Sequence, residues 1–540
     1  MDIFRKIILA GIFLTAYLLF WNWQNDYGQS VKQLSSDKPI NSLISPHISG
    51  IIKSSNSNTQ QVAAHNFNDN DLYLTVKTKK LILVFSKIDG SLVKTGLIDY
   101  PDKIGSNLPF NLLDNSINGY YVVQSGFLPE DSVNTSIEKG DFQCNNCITA
   151  YDGQHTTIDI SKEYDEYALH KIFTIDNSTY EIKESITVNN ISKNIIKGSF
   201  YSQIVRGNQQ DPGSQSGIRL SSFLGTAWWS PAKPYNKKSL KDVISDGKPV
   251  EFQENGGWVA FVQHYFIAAI IPDHKENMQY NIRSEDNKAY LTVLSNNYSV
   301  LPGKTIDQGF NFYIGPKITS NLEKISNGLD LTIDYGWLWP IAEFLFIILT
   351  KIHGVIGNWG WSIILLTIVV KLAFLPLSAA SYRSMAQMRK LAPEIERLKE
   401  KFGNDRQKMS TAMMEFYRQE KINPLGGCLP MLVQMPVFIA LYWTLMESVQ
   451  LRHSSFIFWI HDLSDMDHFF ILPLLMGISM YLQQGLNPAP ADPVQAKMMK
   501  FMPVIFTGFF LFFPSGLVLY WLVSNIFSIV QQSIITRRYA

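Results

Sequence analysis

Residues Asn358–Leu377 read NWGWSIILLTIVVKLAFLPL, and this stretch decides the fold class. Trp361–Leu377 is an apolar run with one interruption, Lys371, and its length fits a helix that crosses a bilayer. An ammonium in hydrocarbon costs a few kcal/mol or more, so an intramembrane lysine is a functional candidate by default. The bland alternative is snorkelling. Leu377 lies only about 9 Å further along a helix, within reach of a lysine stem.

Working outward, the other apolar runs in this half are Leu429–Val449, Phe469–Leu486, Phe501–Phe513 and Leu517–Ile535. Pro514-Ser515-Gly516 separates the last two as a tight turn. Phe501–Phe513 is short for a normal bilayer; it implies local thinning, unless Met499 and Lys500 belong to a longer helix. Leu338–His353 is apolar but ends in Lys351 and His353, and Gly354–Gly360 interrupts it before the next span. It reads as a helix lying in the outer interface rather than crossing. At the other end of the chain, Ile7–Trp23 is long enough to cross. It ends in Trp21-Asn22-Trp23, which suits an interfacial belt better than a cleavage site, so an uncleaved anchor is expected over a signal peptide.

Six spans follow, and positive charge orients them. Arg5 and Lys6 put the N-terminus inside, and Arg537 and Arg538 do the same for the C-terminus. Ser378–Gly427, with ten Lys/Arg against six Asp/Glu, also falls inside, as does Asn487–Lys500. Gln450–His468 holds one Arg and three Asp and falls outside. The expected divisions are 1–23 anchor, 24–70 flexible linker, 71–330 outer domain, 331–360 interfacial helix, and spans at 361–377, 428–449, 469–486, 501–513 and 515–535. Residues 378–427 form a cytoplasmic helical hairpin, 450–468 an outer loop, 487–500 an inner loop and 536–540 a cytoplasmic tail.

The outer domain is of a different kind. Gln24–Asp330 is rich in Asn, Ser, Asp and Lys. From Leu72 it carries short alternating or apolar segments, at Leu72–Thr78, Leu81–Phe85, His170–Ile175, Tyr180–Val188, Trp258–Ile271, Ala289–Leu294 and Phe310–Ile314, divided by turn residues such as Asp89-Gly90. This is the pattern of an all-β sandwich. In the cytoplasmic segment, Met385, Met388, Leu391, Ile395, Leu398 and Phe402 keep helical spacing. Pro393 breaks or kinks that helix, and Phe402-Gly403-Asn404-Asp405 ends it before a second stripe at Met409, Met413, Phe416 and Tyr417.

Lys371 has polar company. Thr367 lies one turn earlier and Ser378 two turns later, Gln434 and Glu447 interrupt the next span, and Ser524, Ser528 and Gln531 form a stripe in the last. Polar faces on several helices imply a shared wet interior; the plainer account is interhelical hydrogen bonding in a tight bundle. Walker, nucleophile-elbow, HExxH and dinucleotide motifs are absent from the sequence, so no enzyme activity, cofactor or metal is expected. Net charge is +1, which gives no reason to expect nucleic-acid binding. Of three cysteines, Cys144 and Cys147 form a CNNC best read as a local disulfide or two free thiols, and Cys428 edges an apolar run.

Three stretches carry a resemblance: NWGWSIILLTIVVKLAFLPL at Asn358–Leu377, NPLGGCLPMLVQMPVFIALYWTLMESVQLR at Asn423–Arg452, and FMPVIFTGFFLFFPSGLVLYWLVSN at Phe501–Asn525. They resemble the YidC membrane-protein insertase family. DYGWLW at Asp334–Trp339 and GGWVAFVQHYF at Gly256–Phe266 are similar to the large periplasmic region of its Gram-negative members. The resemblance implies a polytopic α-helical inner-membrane protein with a five-helix core and a periplasmic β-supersandwich. It implies a hydrophilic groove, open to cytoplasm and lipid, whose positive residue is Lys371, where many relatives have Arg. Thr367 then lines the groove, with Gln434, Ser524 and Ser528 beside it. Tyr520 and Trp521 meet substrate on the last helix, Trp521 standing where Tyr is common. The implied partners are nascent membrane proteins, the Sec translocon, lipids, and a ribosome or targeting factor at the hairpin and tail. The implied work is insertion and folding assistance without nucleotide hydrolysis, alone or with Sec. Two rival readings weaken beside it. A solute transporter would have paired repeats or helices broken at mid-membrane, and the sequence has no internal symmetry; a carbohydrate enzyme would have clustered carboxylates or a His/Glu pair in the β-domain, and none stands out.

Overall fold

A computed structural model describes residues 72–116, 119–130, 141–144, 148–151, 153–209, 223–273, 276–402, 406–420, 429–487 and 493–539. The expected anchor and linker at 1–70, Cys147 and Cys428 lie outside them; Cys144 is disulfide-bonded.

Strict alternation makes Tyr167–Asp176 and Glu181–Asn190 strands, each burying every second side chain. Among the described residues the strands assemble into two antiparallel sheets. One has ten strands and runs from Tyr73–Lys77 at one edge to Val250–Asn255 at the other; the second has nine, from Asn236–Ser239 to Ile148–Tyr151. Their facing sides form one apolar core, in which rings meet between the sheets: Phe85 against Phe173 at 4.7 Å and Tyr121 against Phe261 at 5.8 Å. The β-sandwich expectation therefore holds for fold class. One segment differs. Trp258–Ile271 is two strands, Trp258–Val262 and Phe266–Pro272, folded into a hairpin in which the Gln263 N–H donates to the Phe266 carbonyl. Both strands are buried on both faces, so no alternation marks them, and the turn Gln263-His264-Tyr265 contains no Gly, Pro, Asn or Asp. Two short helices belong to this half, α1 (Leu240–Asp246), capped by Ser239, and α2 (Thr319–Ile325), whose Leu322 is fully buried.

The remaining helices are α3 (Trp339–Ile356), α4 (Trp359–Ala373), α5 (Leu375–Lys390), α6 (Ala392–Phe402), α7 (Arg406–Gln419), α8 (Leu429–Glu447), α9 (Ile471–Gly485), α10 (Pro493–Phe510) and α11 (Ser515–Tyr539). By length and apolarity alone, α3 (with Gly336–Leu338) and α11 pass as spans, and α4 with α5 pass as one bent pair, so six spans do not emerge from the described helices. Contacts tie both ends of α3 to the region around the C-terminal end of α8. At its start Gly336 abuts the Trp443 ring and the Ala342 carbonyl accepts from Thr444 Oγ1. Just past its end Asn358 Nδ2 donates to the Ser455 carbonyl. Residues 443–455 form the C-terminal end of α8 and the loop beyond it, so both ends of α3 meet the same end of that helix.

The expected span 361–377 is not one helix. α4 stops at Ala373 and α5 leaves at 66°, because Pro376 in the sequence Leu375-Pro376 has no N–H to continue the ladder. The expected hairpin is likewise α5, α6 and α7, with the break at Leu391 and Pro393 in the first turn of α6. The expected short span 501–513 overlaps the longer α10, which begins at Pro493, contains Lys497 and Lys500 and ends at Phe510, leaving 511–513 in the turn that follows. The added N-terminal turns carry Lys497 and Lys500, so the helix is longer than expected while its apolar part is not. The turn Pro514-Ser515-Gly516 is fixed by the loop between α8 and α9: the Ser515 N–H donates to the Asp465 carbonyl at 2.7 Å and the Gly516 N–H to the Leu463 carbonyl at 2.9 Å.

Candidate functional site

Lys371 stands on the last turn of α4, just before the bend. It is 7% exposed. Its ammonium donates to Ser528 Oγ on α11 at 2.8 Å and to Gln434 Oε1 on α8 at 3.1 Å. An ammonium only donates, so it turns the amide oxygen of Gln434 toward itself; the Nε2 of Gln434 then donates to Ser524 Oγ at 2.9 Å. Three helices far apart in sequence are thus tied together by one cation and neutral oxygens. Among the described residues no carboxylate lies within ion-pair distance of Lys371 Nζ. That is an expensive arrangement in a low-dielectric interior, where buried charges are normally paired.

The remaining expected residues fall into different positions. Thr367 is fully buried on α4, but its hydroxyl donates at 2.7 Å to Ile363 of its own helix and makes no cross-helix bond. Ser378, despite the bend, lines a small pocket with Lys371, Val370, Phe374, Leu377, Val433 and Gln434; the space suits about one water molecule. Among the described residues, Lys371, Gln434, Ser524 and Ser528, which the resemblance assigns to a hydrophilic groove, form this hydrogen-bonded network with the small pocket beside it. Tyr520 is 1% exposed and lies near-parallel to Phe438 at 6.3 Å, so its ring faces into the bundle. Trp521 is half-buried, edge-on to Phe438 at 4.5 Å and close to Phe506 and Phe510.

Glu447 does not belong to this polar interior. It ends α8 at the end opposite Gln434 and accepts an ion-pair hydrogen bond from Lys317 of the β-domain at 2.8 Å. Sequence periodicity placed it on the same helix as Gln434, but 13 residues separate the two, about 20 Å along the axis. Sequence reasoning also missed polar side chains that bind α11 to its neighbours. Asn525 Nδ2 donates to Ser479 Oγ at 3.0 Å, and Gln532 Nε2 donates to the Leu486 carbonyl and Asn487 Oδ1, each at 3.0 Å. Asn525 and Gln532 follow Ser524 and Gln531 by one residue each, so a second polar stripe on α11 was the available signal.

Comparisons with known proteins converge. Residues 351–540 match the family described as 60Kd inner membrane protein, and residues 73–348 match the YidC periplasmic domain. A relative from Marinomonas sp. (strain MWYL1), named membrane protein insertase YidC, is 43% identical over 550 residues, covering 100% of this chain and 99% of the relative. One of the same name from Hahella chejuensis (strain KCTC 2396) is 40% identical over 560 residues, with 100% and 98% covered. Among solved structures, an active YidC insertase with its first transmembrane domain resolved is 18% identical, with a TM-score of 0.39 over 85% of this chain and 92% of that one.

Proposed function

The chain belongs to the YidC family of membrane protein insertases, and from that premise we propose that Lys371 is the cation that receives the polar flank of an inserting segment. The observation that supports this most is a buried ammonium held, among the described residues, by hydroxyl and amide oxygens of α8 and α11. Neutral acceptors solvate such a charge without cancelling it, so an entering carboxylate gains more at Lys371 Nζ than Ser528 and Gln434 give up. The apolar part of the segment then partitions into lipid, and the membrane potential favours outward movement of acidic flanks.

In this reading both termini and the helices α5–α7 face the cytoplasm, the β-domain faces the periplasm, and residues 1–23 supply a sixth span. Assistance to folding, cooperation with the Sec translocon and reception of a ribosome or targeting factor by the amphipathic α6–α7 pair belong to the same reading. Tyr520 and Trp521 then border the path on α11, Trp521 from its half-exposed side.

The test compares Lys371→Arg with Lys371→Glu in cells depleted of the native protein. Arg should retain insertion of a substrate with an acidic translocated tail, and Glu should impair it, with a smaller loss for a tail-free substrate. Equal insertion of the acidic-tailed substrate by Lys371→Glu and wild type refutes the proposal.

A further inference from the structure

A second cavity lies where the loop between α8 and α9 meets the β-domain. Ser515, the first residue of α11, lines it, 13 residues before Ser528 and so about 20 Å along the axis from the polar network. Ile104 of the β-domain lines it from the other side. Arg452 fixes this seam, donating to the Pro101 and Asp102 carbonyls at 2.8 and 3.2 Å with its guanidinium over Phe110 and Phe266. The cleft holds about 260 Å³ of space, just under the range of about 300–1,000 Å³ that drug-sized ligands occupy.

Its polar lining carries both donors and acceptors. Asp467 is 4% exposed and accepts from the Phe469 and Leu472 N–H groups at 3.0 and 2.7 Å and from Trp459 Nε1 at 3.2 Å. Asp462 accepts through Oδ1 from the Ser464 N–H and hydroxyl, each at 2.7 Å. Among the described residues, no Lys or Arg lies within ion-pair distance of either carboxylate, and no donor reaches Asp462 Oδ2. His461 and His468 complete the polar lining; both are exposed, and neither imidazole has a hydrogen-bond partner among the described residues. Carboxylate oxygens suit a ligand ammonium, and an imidazole N–H suits a ligand oxyanion. The same residue types could suggest a metal, but among the described residues no three His, Cys, Asp or Glu side chains are placed to share one.

The cleft opens onto an apolar surface. Phe469, 65% exposed, lines it, and from there Ile471, Leu474, Leu475, Ile478 and Leu482 form an exposed stripe at helical spacing along α9. In a membrane insertase such a stripe faces acyl chains. Phe458 is 81% exposed beside Trp459, a ring type that settles at the border of headgroups and hydrocarbon. A polar cleft at the head of a lipid-facing stripe has the layout of a phospholipid, with a charged head and apolar tails.

We propose that this cleft binds the headgroup of a phospholipid carrying a primary amine, in the leaflet on the β-domain's side, with its acyl chains along α9. The ammonium sits against Asp462 and Asp467, and the phosphate accepts from His461 and His468. A primary ammonium has three N–H donors for the carboxylate oxygens, whereas a quaternary choline has none. The site goes beyond the reading of Lys371 and does not depend on it.

The experiment uses the full chain in nanodiscs of phosphatidylglycerol mixed with phosphatidylethanolamine or with phosphatidylcholine of the same acyl chains. Native mass spectrometry reads the lipids retained, and a phosphatidylethanolamine with a photoreactive group near its glycerol maps where it sits. Wild type should retain the ethanolamine lipid about fivefold more than the choline lipid. Crosslinks should fall in residues 457–475. Asp462→Asn keeps the side chain's shape and removes its charge, and it should bring the ratio to within about twofold. His461→Ala with His468→Ala is the second variant. It should lower retention of both lipids and keep their ratio, because both carry a phosphate. Equal retention of the two lipids by wild type means annular lipid only and overturns the proposal. So does an undiminished ratio in Asp462→Asn, unchanged retention in the histidine variant, or crosslinking confined to other segments. Displacement of the lipid by an equal concentration of free phosphoethanolamine would make this a soluble-ligand site and overturn the lipid assignment.

Discussion

Both halves of the molecule bury a lysine, and they treat it in opposite ways. In the sandwich, Lys171 points into the space between the sheets. It donates to the Ser125 carbonyl at 2.6 Å and the Gly90 carbonyl at 3.4 Å and lies over the Phe142 ring. Glu184, hydrogen-bonded to the Ser125 hydroxyl, supplies an opposite charge within the same cluster. Burial pulls the Lys171 ammonium down and pushes the Glu184 carboxyl up, and each opposes the shift of the other. In the helical half, Lys371 is held by neutral oxygens; among the described residues neither lysine has a carboxylate within ion-pair distance, but Lys171 has Glu184 in its cluster. A compensated buried cation is part of a scaffold. An uncompensated one, held by groups that can let go, is available to a ligand.

That comparison can be broken most directly at Lys371. Lys371→Met removes the charge while keeping much of the stem's volume. Insertion of an acidic-tailed substrate should fall by about tenfold, equivalent to roughly 1.4 kcal/mol, with protein levels near normal. Pulse-labelled protease-protection assays read this, and an insertion rate within twofold of wild type would erase the distinction between the two lysines.

Glu184→Gln sharpens the other side. It leaves Lys171 buried without its counter-charge and should destabilise the β-domain by roughly 3 kcal/mol. Burial then acts on Lys171 with Lys162 adding to it and only Asp89 opposing it, so the loss should be greatest at low pH, where the ammonium is forced to stay charged. Thermal unfolding followed by a β-sheet signal checks it. Insertion per folded molecule should not change, and a selective loss for acidic tails would mean that the scaffold lysine is not merely scaffold.

The halves also differ in packing. Large rings fill the sandwich, while α9 and α10 approach through Gly477, where an added Cβ would lie 2.0 Å from Thr507 Oγ1. Gly477→Ala must push the helices apart and should cost about 1–3 kcal/mol, with most of it recovered by adding Thr507→Ala. Thermal stability of the purified variants decides whether this contact is as close as described.

The smallest effect is expected at the seam. Burial, with help from neighbouring Arg452, holds the His453 imidazole below its ordinary value of 6.5. The folded chain thus favours the neutral ring. This contribution is complete above pH 6.5 and is lost as pH falls from 6.5 through the lowered value. His453→Gln should flatten that part of the stability profile, and an unchanged slope between pH 7 and 5 would count against it.

Much of this was legible in the sequence. Alternation in Tyr167–Asp176 and Glu181–Asn190 specifies strands because a pleated strand has period two. The apolar runs, and a lysine inside one of them, specify membrane helices with a charge that needs a reason. Ser524 and Ser528 at helical spacing give one face of α11. Sequence periodicity, however, describes a face and not its partner. It could not say that Gln434 turns its oxygen to Lys371, that Tyr520 faces inward on Phe438, or that Glu447, on the same helix as Gln434, belongs to another site altogether. Trp258–Val262 and Phe266–Pro272 lost their signal for a related reason: strands covered on both faces have no polar side to alternate with. The bend at Leu375-Pro376 was written locally, in a residue without an N–H. The pairing of Lys317 with Glu447, 130 residues away, was not, because only the folded chain brings those two charges out of water together.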